Sequence, residues 1–298
     1  MMGRLLTAMV TPFDARGEVD YLQAKRLARS LLDSGSDGLV VSGTTGESPT
    51  LSREEKLRLF AEMRSAVADR GTVVAGTGNN DTRESQELTR EAERIGVDAC
   101  LLVVPYYNRP SQQGLLQHFK VVAQSTTLPC IIYNVPSRTV TNLTADTLIK
   151  LSQIDNIVGV KEASGNLGQI AEIVQRTRED FLVYSGNDSD TLPILALGGY
   201  GVISVASHLV GVQIKDMINK FLDGRFQEAA RLHRYLLTLI SALFIVSNPA
   251  PVKWALNHAG FRVGKPRLPL VEPDEESADL IEATLKNYKI DLPIPRDR

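Results

Sequence analysis

Ile157-Val158-Gly159-Val160-Lys161-Glu162-Ala163-Ser164-Gly165 is an apolar, β-branched run that ends in a lysine and then passes into small residues. Four or five apolar residues bounded by turn formers are what a strand of an enclosed parallel sheet requires. A lysine at the end of such a run loses water, and desolvation disfavours the ammonium form and lowers its pKa. That position suits an amine that makes a Schiff base with a carbonyl substrate. The competing reading is a lysine that caps the strand and points to solvent, as most lysines do.

The same pattern recurs on both sides of this stretch. Strand-like runs lie at 5–10, 38–42, 72–75, 99–104, 130–133, 157–161, 181–184 and 201–205. Helical spacing fills the intervals at 21–32, from 52 onward, and at 81–95, 112–125, 145–151, 167–176 and 189–197. Ser52-Arg53-Glu54-Glu55 opens its helix as a capping box, and Gly96 marks a helix stop. Alternation of this kind, with no second cluster of strands, implies parallel pairing through helical crossovers. The economical closure is an α/β fold of the TIM (β/α)8 barrel type. An open doubly wound sheet is the rival that periodicity alone does not exclude. Beyond the eighth strand only helical patterns follow, at 211–222, 226–246, 249–259 and 275–286. We therefore expect a barrel over residues 1–224 that carries the catalytic site, and an appended C-terminal helical segment over 225–298.

Composition narrows the class of function. With 43% apolar and 23% charged residues, the 298-residue chain can bury a sizeable core. A formal charge of −2, from 33 basic and 35 acidic residues, and the lack of a basic stripe with interleaved aromatics argue against nucleic acid as a partner. Cys100 and Cys130 sit inside apolar runs and read as buried thiols in a reducing compartment. Residues 1–13 do not resemble a signal peptide, and the longest apolar run, 236–246, is too short for a bilayer. A cytoplasmic protein is expected, in which the Asn-x-Ser/Thr triplets at Asn80, Asn142 and Asn187 are chance.

In a barrel the chemistry lies where strands end. Those positions hold Gly43-Thr44-Thr45-Gly46-Glu47, Gly76-Thr77-Gly78-Asn79-Asn80, Pro105-Tyr106-Tyr107-Asn108, Tyr133-Asn134-Val135-Pro136-Ser137-Arg138, Lys161-Glu162, Ser185-Gly186-Asn187-Asp188 and Ser204. The inventory is that of a small polar ligand. Gly43 to Glu47 is too short for a phosphate loop and lacks its lysine, but its N–H and O–H groups suit a carboxylate; otherwise it is a tight turn closed by glycine. Tyr133 is either a proton shuttle or a core tyrosine bonded to backbone. Arg138 either grips a carboxylate bidentately or is solvated. His118, His208, His233 and His258 are isolated, with no spacing for a metal, and no Gly-x-Ser-x-Gly elbow is present.

Taken in order, Gly43-Thr44-Thr45-Gly46-Glu47, Tyr133-Asn134-Val135-Pro136 and Val158-Gly159-Val160-Lys161-Glu162-Ala163 resemble the pyruvate-dependent class I aldolase family. The resemblance runs from Thr7-Ala8-Met9-Val10-Thr11-Pro12-Phe13 to Asn248-Pro249-Ala250-Pro251-Val252-Lys253 and so covers nearly the whole chain. It implies a TIM barrel with C-terminal helices that condenses pyruvate with aspartate 4-semialdehyde on the route to lysine, without metal or organic cofactor. Lys161 would form the imine. Tyr133 would relay protons with Thr44 and Tyr107 of the partner subunit, in a tetramer built from dimers. Thr45 would bind the pyruvate carboxylate and Arg138 the semialdehyde carboxylate, while backbone at Gly186 and Ile203 would line the pocket. Sialic acid lyases and keto-deoxy sugar acid aldolases share the lysine, the Tyr-Asn-x-Pro loop and the glycine motif. Arg138 and the 105–108 segment favour the dipicolinate branch, because a short substrate ending in a carboxylate needs a cation where a polyol needs neutral partners. A barrel that binds a keto acid without turnover is the reading from another class, disfavoured because no motif residue is missing.

In lysine-inhibited members of the family the effector site lies between subunits, at positions that correspond to Ser48, Pro49, Arg53, Lys56, Asn80, Glu84 and Tyr106. Asn80, Glu84 and Tyr106 match that pattern. Arg53 and Lys56 stand where sensitive members often carry histidine, and two permanent positive charges repel a lysine ammonium. Weak or absent feedback inhibition is the expectation.

Overall fold

The computed structural model describes residues 2–294. Eight parallel strands, β1 (Leu5–Ala8), β2 (Gly38–Val41), β3 (Thr72–Gly76), β4 (Ala99–Val103), β5 (Cys130–Asn134), β6 (Ile157–Glu162), β7 (Leu182–Ser185) and β8 (Gly201–Ser204), follow one another in sequence order as a closed barrel. The closed order removes the open doubly wound alternative.

Two compact units divide the chain, Val73–Ile203 and the combination of Met1–Thr72 with Ser204–Arg298. In the first, β4, β5, β6 and β7 are in register so that Val103, Tyr133, Lys161 and Tyr184 follow one another across the sheet. These strands are apolar and buried along almost their whole length, as strands covered on both faces are. Gly159 is required by close approach, because a Cβ there would sit 2.4 Å from the Leu182 carbonyl oxygen. In the second unit β1 pairs with β2, and the helices Tyr21–Asp33, Arg53–Val67, Ser207–Leu222, Phe226–Ala242, Ala250–His258 and Glu275–Leu285 surround them or pack on one another. The capping box expected at Ser52 is present, with the Ser52 hydroxyl accepting from Glu55 N and the Glu55 carboxylate accepting from Ser52 N.

Several boundaries differ from expectation for local reasons. The helix expected from 211 begins at Ser207 and is interrupted at Val210 (φ −132°, ψ 38°). Gly211 there packs so closely on the Ser34 carbonyl that a Cβ would meet it at 2.4 Å. His208 therefore belongs to a helix, where it accepts a bond from Val10 N through Nε2, and burial pulls its pKa down to about 4. The segment after β5 is not simply loop: Pro136–Thr139 forms one helical turn with proline in its first position. The helix expected over 226–246 stops at Ala242. Among the described residues no helix is long and apolar enough to cross a membrane.

Candidate active site

Lys161 closes the apolar part of β6 and is only 5% exposed, which removes the reading of a solvent-facing cap. Its strand partner is Tyr133, and Nζ lies 4.3 Å from the centroid of the Tyr133 ring. Among the described residues no hydrogen-bond acceptor holds this Nζ. Burial pulls its pKa down to about 8; the Asp188 carboxylate opposes the shift and the Arg138 guanidinium adds to it. An amine so placed supplies roughly 300-fold more free base at pH 7 than a lysine of ordinary pKa. Gly186 leaves room for the lysine stem, since a Cβ there would lie 3.1 Å from Lys161 Cγ and 2.7 Å from Ala163 Cβ.

Successive side chains of a strand point to opposite faces, so Glu162 lies on the other side of the sheet from Lys161. There it accepts from Asn134 Nδ2 at 3.1 and 3.2 Å and from Ser164 N at 2.8 Å. Burial raises its pKa, and these bonds oppose the rise. The Asn134 side-chain Oδ1 in turn accepts from Leu143 N. A buried polar clamp thus ties the ends of β5 and β6 together one residue beyond Tyr133 and Lys161. Sequence reasoning gave Asn134 and Glu162 no role, although each directly follows a residue it singled out.

The other candidates in this unit fall in three places. Arg138, on the turn Pro136–Thr139, is exposed, and its charge reaches Lys161. Ile203 is buried in β8. Tyr107 is 90% exposed with φ +72°, an aromatic side chain held out into solvent. Beside it, Asn80 donates to the Tyr106 carbonyl at 3.2 Å and Asn108 donates to the Asn80 carbonyl at 2.8 Å. Burial, and to a lesser degree the Glu84 charge, raise the pKa of the Tyr106 phenol.

Thr44 and Thr45 belong to the second unit. The Gly43 to Glu47 segment is a turn, with Glu47 N donating to the Thr44 carbonyl and Ser48 N to that of Gly43. The turn reading is thus observed, and the N–H groups of Thr44, Thr45 and Gly46 are left without an acceptor among the described residues. Thr45 is buried, and its hydroxyl accepts from Asn248 Nδ2 at 2.9 Å, which leaves its own proton available for donation. Ser48 and Pro49 continue into the short helix Ser48–Thr50, and Arg53 and Lys56 lie in the first turn of Arg53–Val67.

A second buried lysine went unnoticed in the sequence. Lys253 Nζ donates to Glu47 Oε1 at 2.8 Å and to the carbonyls of Thr11 and Lys265 at 3.0 Å each. Its only sequence signal is a charge inside the apolar run Pro251-Val252-Lys253-Trp254-Ala255-Leu256. Among the described residues no three His, Cys, Asp or Glu side chains gather as metal ligands would.

Known proteins resemble this chain along nearly its whole length. Residues 1–288 match the dihydrodipicolinate synthetase family. A 4-hydroxy-tetrahydrodipicolinate synthase of Dehalococcoides mccartyi is 64% identical over 98% of this chain and 99% of its own, and one of Moorella thermoacetica is 58% identical over 95% and 97%. Among solved structures, dihydrodipicolinate synthase from Bacillus anthracis superposes with a TM-score of 0.94 at 45% identity, covering 99% of this chain and 100% of that one. The enzyme from Cyanidioschyzon merolae with lysine bound gives 0.95 at 47% identity, covering 96% and 98%. With its fold, its motifs and these relatives in agreement along nearly all of its length, the chain belongs to the dihydrodipicolinate synthetase family.

Proposed function

We propose that this chain is a Schiff-base lyase that condenses pyruvate with L-aspartate 4-semialdehyde to give 4-hydroxy-tetrahydrodipicolinate in the diaminopimelate route to lysine. The observation that carries the reading is a lysine, 5% exposed at a strand end, whose Nζ is held by no acceptor among the described residues. Its neutral amine adds to the pyruvate C2 carbonyl, and loss of water from the carbinolamine leaves an iminium. The positive nitrogen acidifies the methyl group, and loss of a proton from C3 gives an enamine. The enamine carbon then attacks the semialdehyde carbonyl and forms the new C–C bond. Cyclisation through the substrate amine displaces Lys161 and frees it for the next turnover.

The remaining roles follow the family pattern. Tyr133 exchanges protons at the carbinolamine and the aldehyde, continued by Thr44 and by Tyr107 of the partner subunit. The free N–H groups and the hydroxyl of Thr45 support a carboxylate site for pyruvate. Arg138 pairs with the semialdehyde carboxylate, and backbone at Gly186 and Ile203 lines the pocket. The 90% exposure of Tyr107 supports assembly into dimers and, by family resemblance, tetramers. We assign the barrel to residues 1–224 and the helical segment to 225–298, and place the enzyme in the cytoplasm. Lysine inhibition is weak or absent, because Arg53 and Lys56 repel the effector ammonium; strong inhibition at sub-millimolar lysine in a steady-state assay would refute this.

Borohydride with pyruvate, followed by peptide mass analysis, tests the central step. A reduced adduct on the Lys161 peptide supports the enzyme; its absence supports a barrel that only binds keto acids. Turnover with aspartate 4-semialdehyde rather than with N-acetylneuraminate or 2-keto-3-deoxy sugar acids then separates the branches of the wider aldolase family.

A further inference from the structure

The turn that carries Thr44 and Thr45 is bracketed by two left-handed residues that are not glycine, Ser42 (φ +56°) and Glu47 (φ +57°), both buried. Such conformations persist only where the surroundings over-determine them. Here the restraint comes from far along the chain. The Glu47 carboxylate accepts from Lys253 Nζ at 2.8 Å through one oxygen and from Arg267 N at 2.8 Å through the other, and both side chains of the ion pair are 1% exposed. Lys253 also grips the Thr11 carbonyl, while the Thr11 hydroxyl donates to the Gly46 carbonyl at 2.7 Å. Asn248, just ahead of the same helix Ala250–His258, donates to Thr45 Oγ1. The turn is thus held at Thr45, Gly46 and Glu47 from behind.

We propose that Lys253 is a positioning residue for substrate binding: through Glu47 and Thr11 it holds the backbone of Thr44 and Thr45 in the shape that receives the pyruvate carboxylate. The proposal rests on the Schiff-base reading above. Its physical basis is a difference between charge and grease. A buried ion pair adds little net stability compared with apolar residues of the same volume, but it fixes direction, since its hydrogen bonds accept only one geometry. The three N–H donors of Lys253 are all occupied, so it serves as a rigid node and not as a reagent. The amides of Thr44, Thr45 and Gly46 can serve an anion together only if the turn that carries them is fixed, and the left-handed Glu47 is the end at which it is fixed.

The test is kinetic. Wild-type trapping with pyruvate and borohydride is the reference, and its failure would overturn the Schiff-base reading itself. Lys253→Met keeps most of the stem and removes the cation. It should raise KM for pyruvate roughly tenfold while kcat at saturating pyruvate stays within about threefold, and Lys253→Arg should recover part of the loss. Ile281→Ala, in the helix Glu275–Leu285, lowers the thermal midpoint without touching the pair and should leave KM unchanged. A Lys253→Met enzyme that is less stable but has wild-type KM overturns the proposal. Should that variant not fold, Glu47→Gln reads the same KM; failure of both to fold makes the pair a determinant of the fold alone, which also overturns it.

Discussion

Lys161 and Lys253 both lie inside the protein, and burial pulls both ammonium groups down to about 8, with Asp188 opposing the shift at one and Glu47 at the other. Their surroundings nevertheless assign them opposite work. Lys253 spends its three donors on a carboxylate and two carbonyls and lies over the Phe13 ring at 4.1 Å, with Arg267 at 4.4 Å from the same ring. Lys161 has an aromatic face beside it and no acceptor among the described residues. A low pKa is therefore a necessary property of the nucleophile and not a sufficient one. What separates reagent from strut is whether the lone pair, once uncovered, has anywhere to go.

The largest effect should come from Lys161→Met. Imine trapping disappears, and turnover falls by about 10⁴-fold or more, since the covalent route is gone. The same change should make the protein more stable. The folded state holds fewer protons than the unfolded state between pH ~8 and ~10.5, so wild-type stability rises with pH through that window, and below it charging the buried amine costs roughly 3 kcal/mol. Denaturant titration of wild type and variant at pH ~7 should show a gain of that order, shrinking as pH approaches ~10.5. Correspondingly, wild-type trapping should rise with an apparent pKa near 8. A variant less stable than wild type would break the comparison, because Lys161 would then be a strut as well.

Lys253→Met should behave in the reverse sense. Removing one partner of a buried pair leaves Glu47 charged and uncompensated, a loss of about 3–5 kcal/mol, while borohydride still traps pyruvate on the Lys161 peptide. Loss of trapping in a folded Lys253→Met protein would mean that the wrong lysine had been singled out.

Lys161 was readable in advance because its signal is local: β-branched residues before it, small ones after it, and seven similar units around it. The strand ends were readable to within one or two residues for the same reason, and the Ser52 capping box because its two partners are three residues apart. Lys253 and Glu47 are separated by 206 positions, and no spacing rule connects them. The break at Val210 and the helical turn at Pro136 also escaped, since both answer to packing around them and not to propensity. Roles for Thr44, Thr45 and Arg138 came from family resemblance; the residues by themselves left each of them open.

Tyr133→Phe sharpens the contrast from the side of the neighbour. The ring beside Lys161 remains, so the amine keeps its apolar wall and its lowered pKa, and only the phenol is lost. If Tyr133 moves protons, kcat should drop by about 10²–10³-fold while the pH dependence of trapping keeps its midpoint. A shifted midpoint with little change in kcat would make Tyr133 part of the burial that tunes Lys161.

The smallest effect expected is that of Gly186→Ala. The added methyl group would stand 2.7 Å from Ala163 Cβ, closer than that contact tolerates, and 3.1 Å from Lys161 Cγ, a tight approach, so the stem or the backbone must shift by a few tenths of an ångström. Nothing is removed: the amine, its pKa and the Asn134–Glu162 clamp on the opposite face all stay. A displacement of the reacting nitrogen costs rate because attack on a carbonyl depends on alignment, and on the order of a tenfold loss in kcat is reasonable for so small a shift. Stability should fall by only about 1–3 kcal/mol, the usual cost of overpacking. Because Lys253 is fixed by three acceptors, a comparable crowding of its stem would be resisted by hydrogen bonds; Lys161 has none among the described residues, and its position depends on the fit of neighbours such as Gly186. A Gly186→Ala enzyme with wild-type kcat would show that the lysine has slack, and that its placement is set by β6 alone.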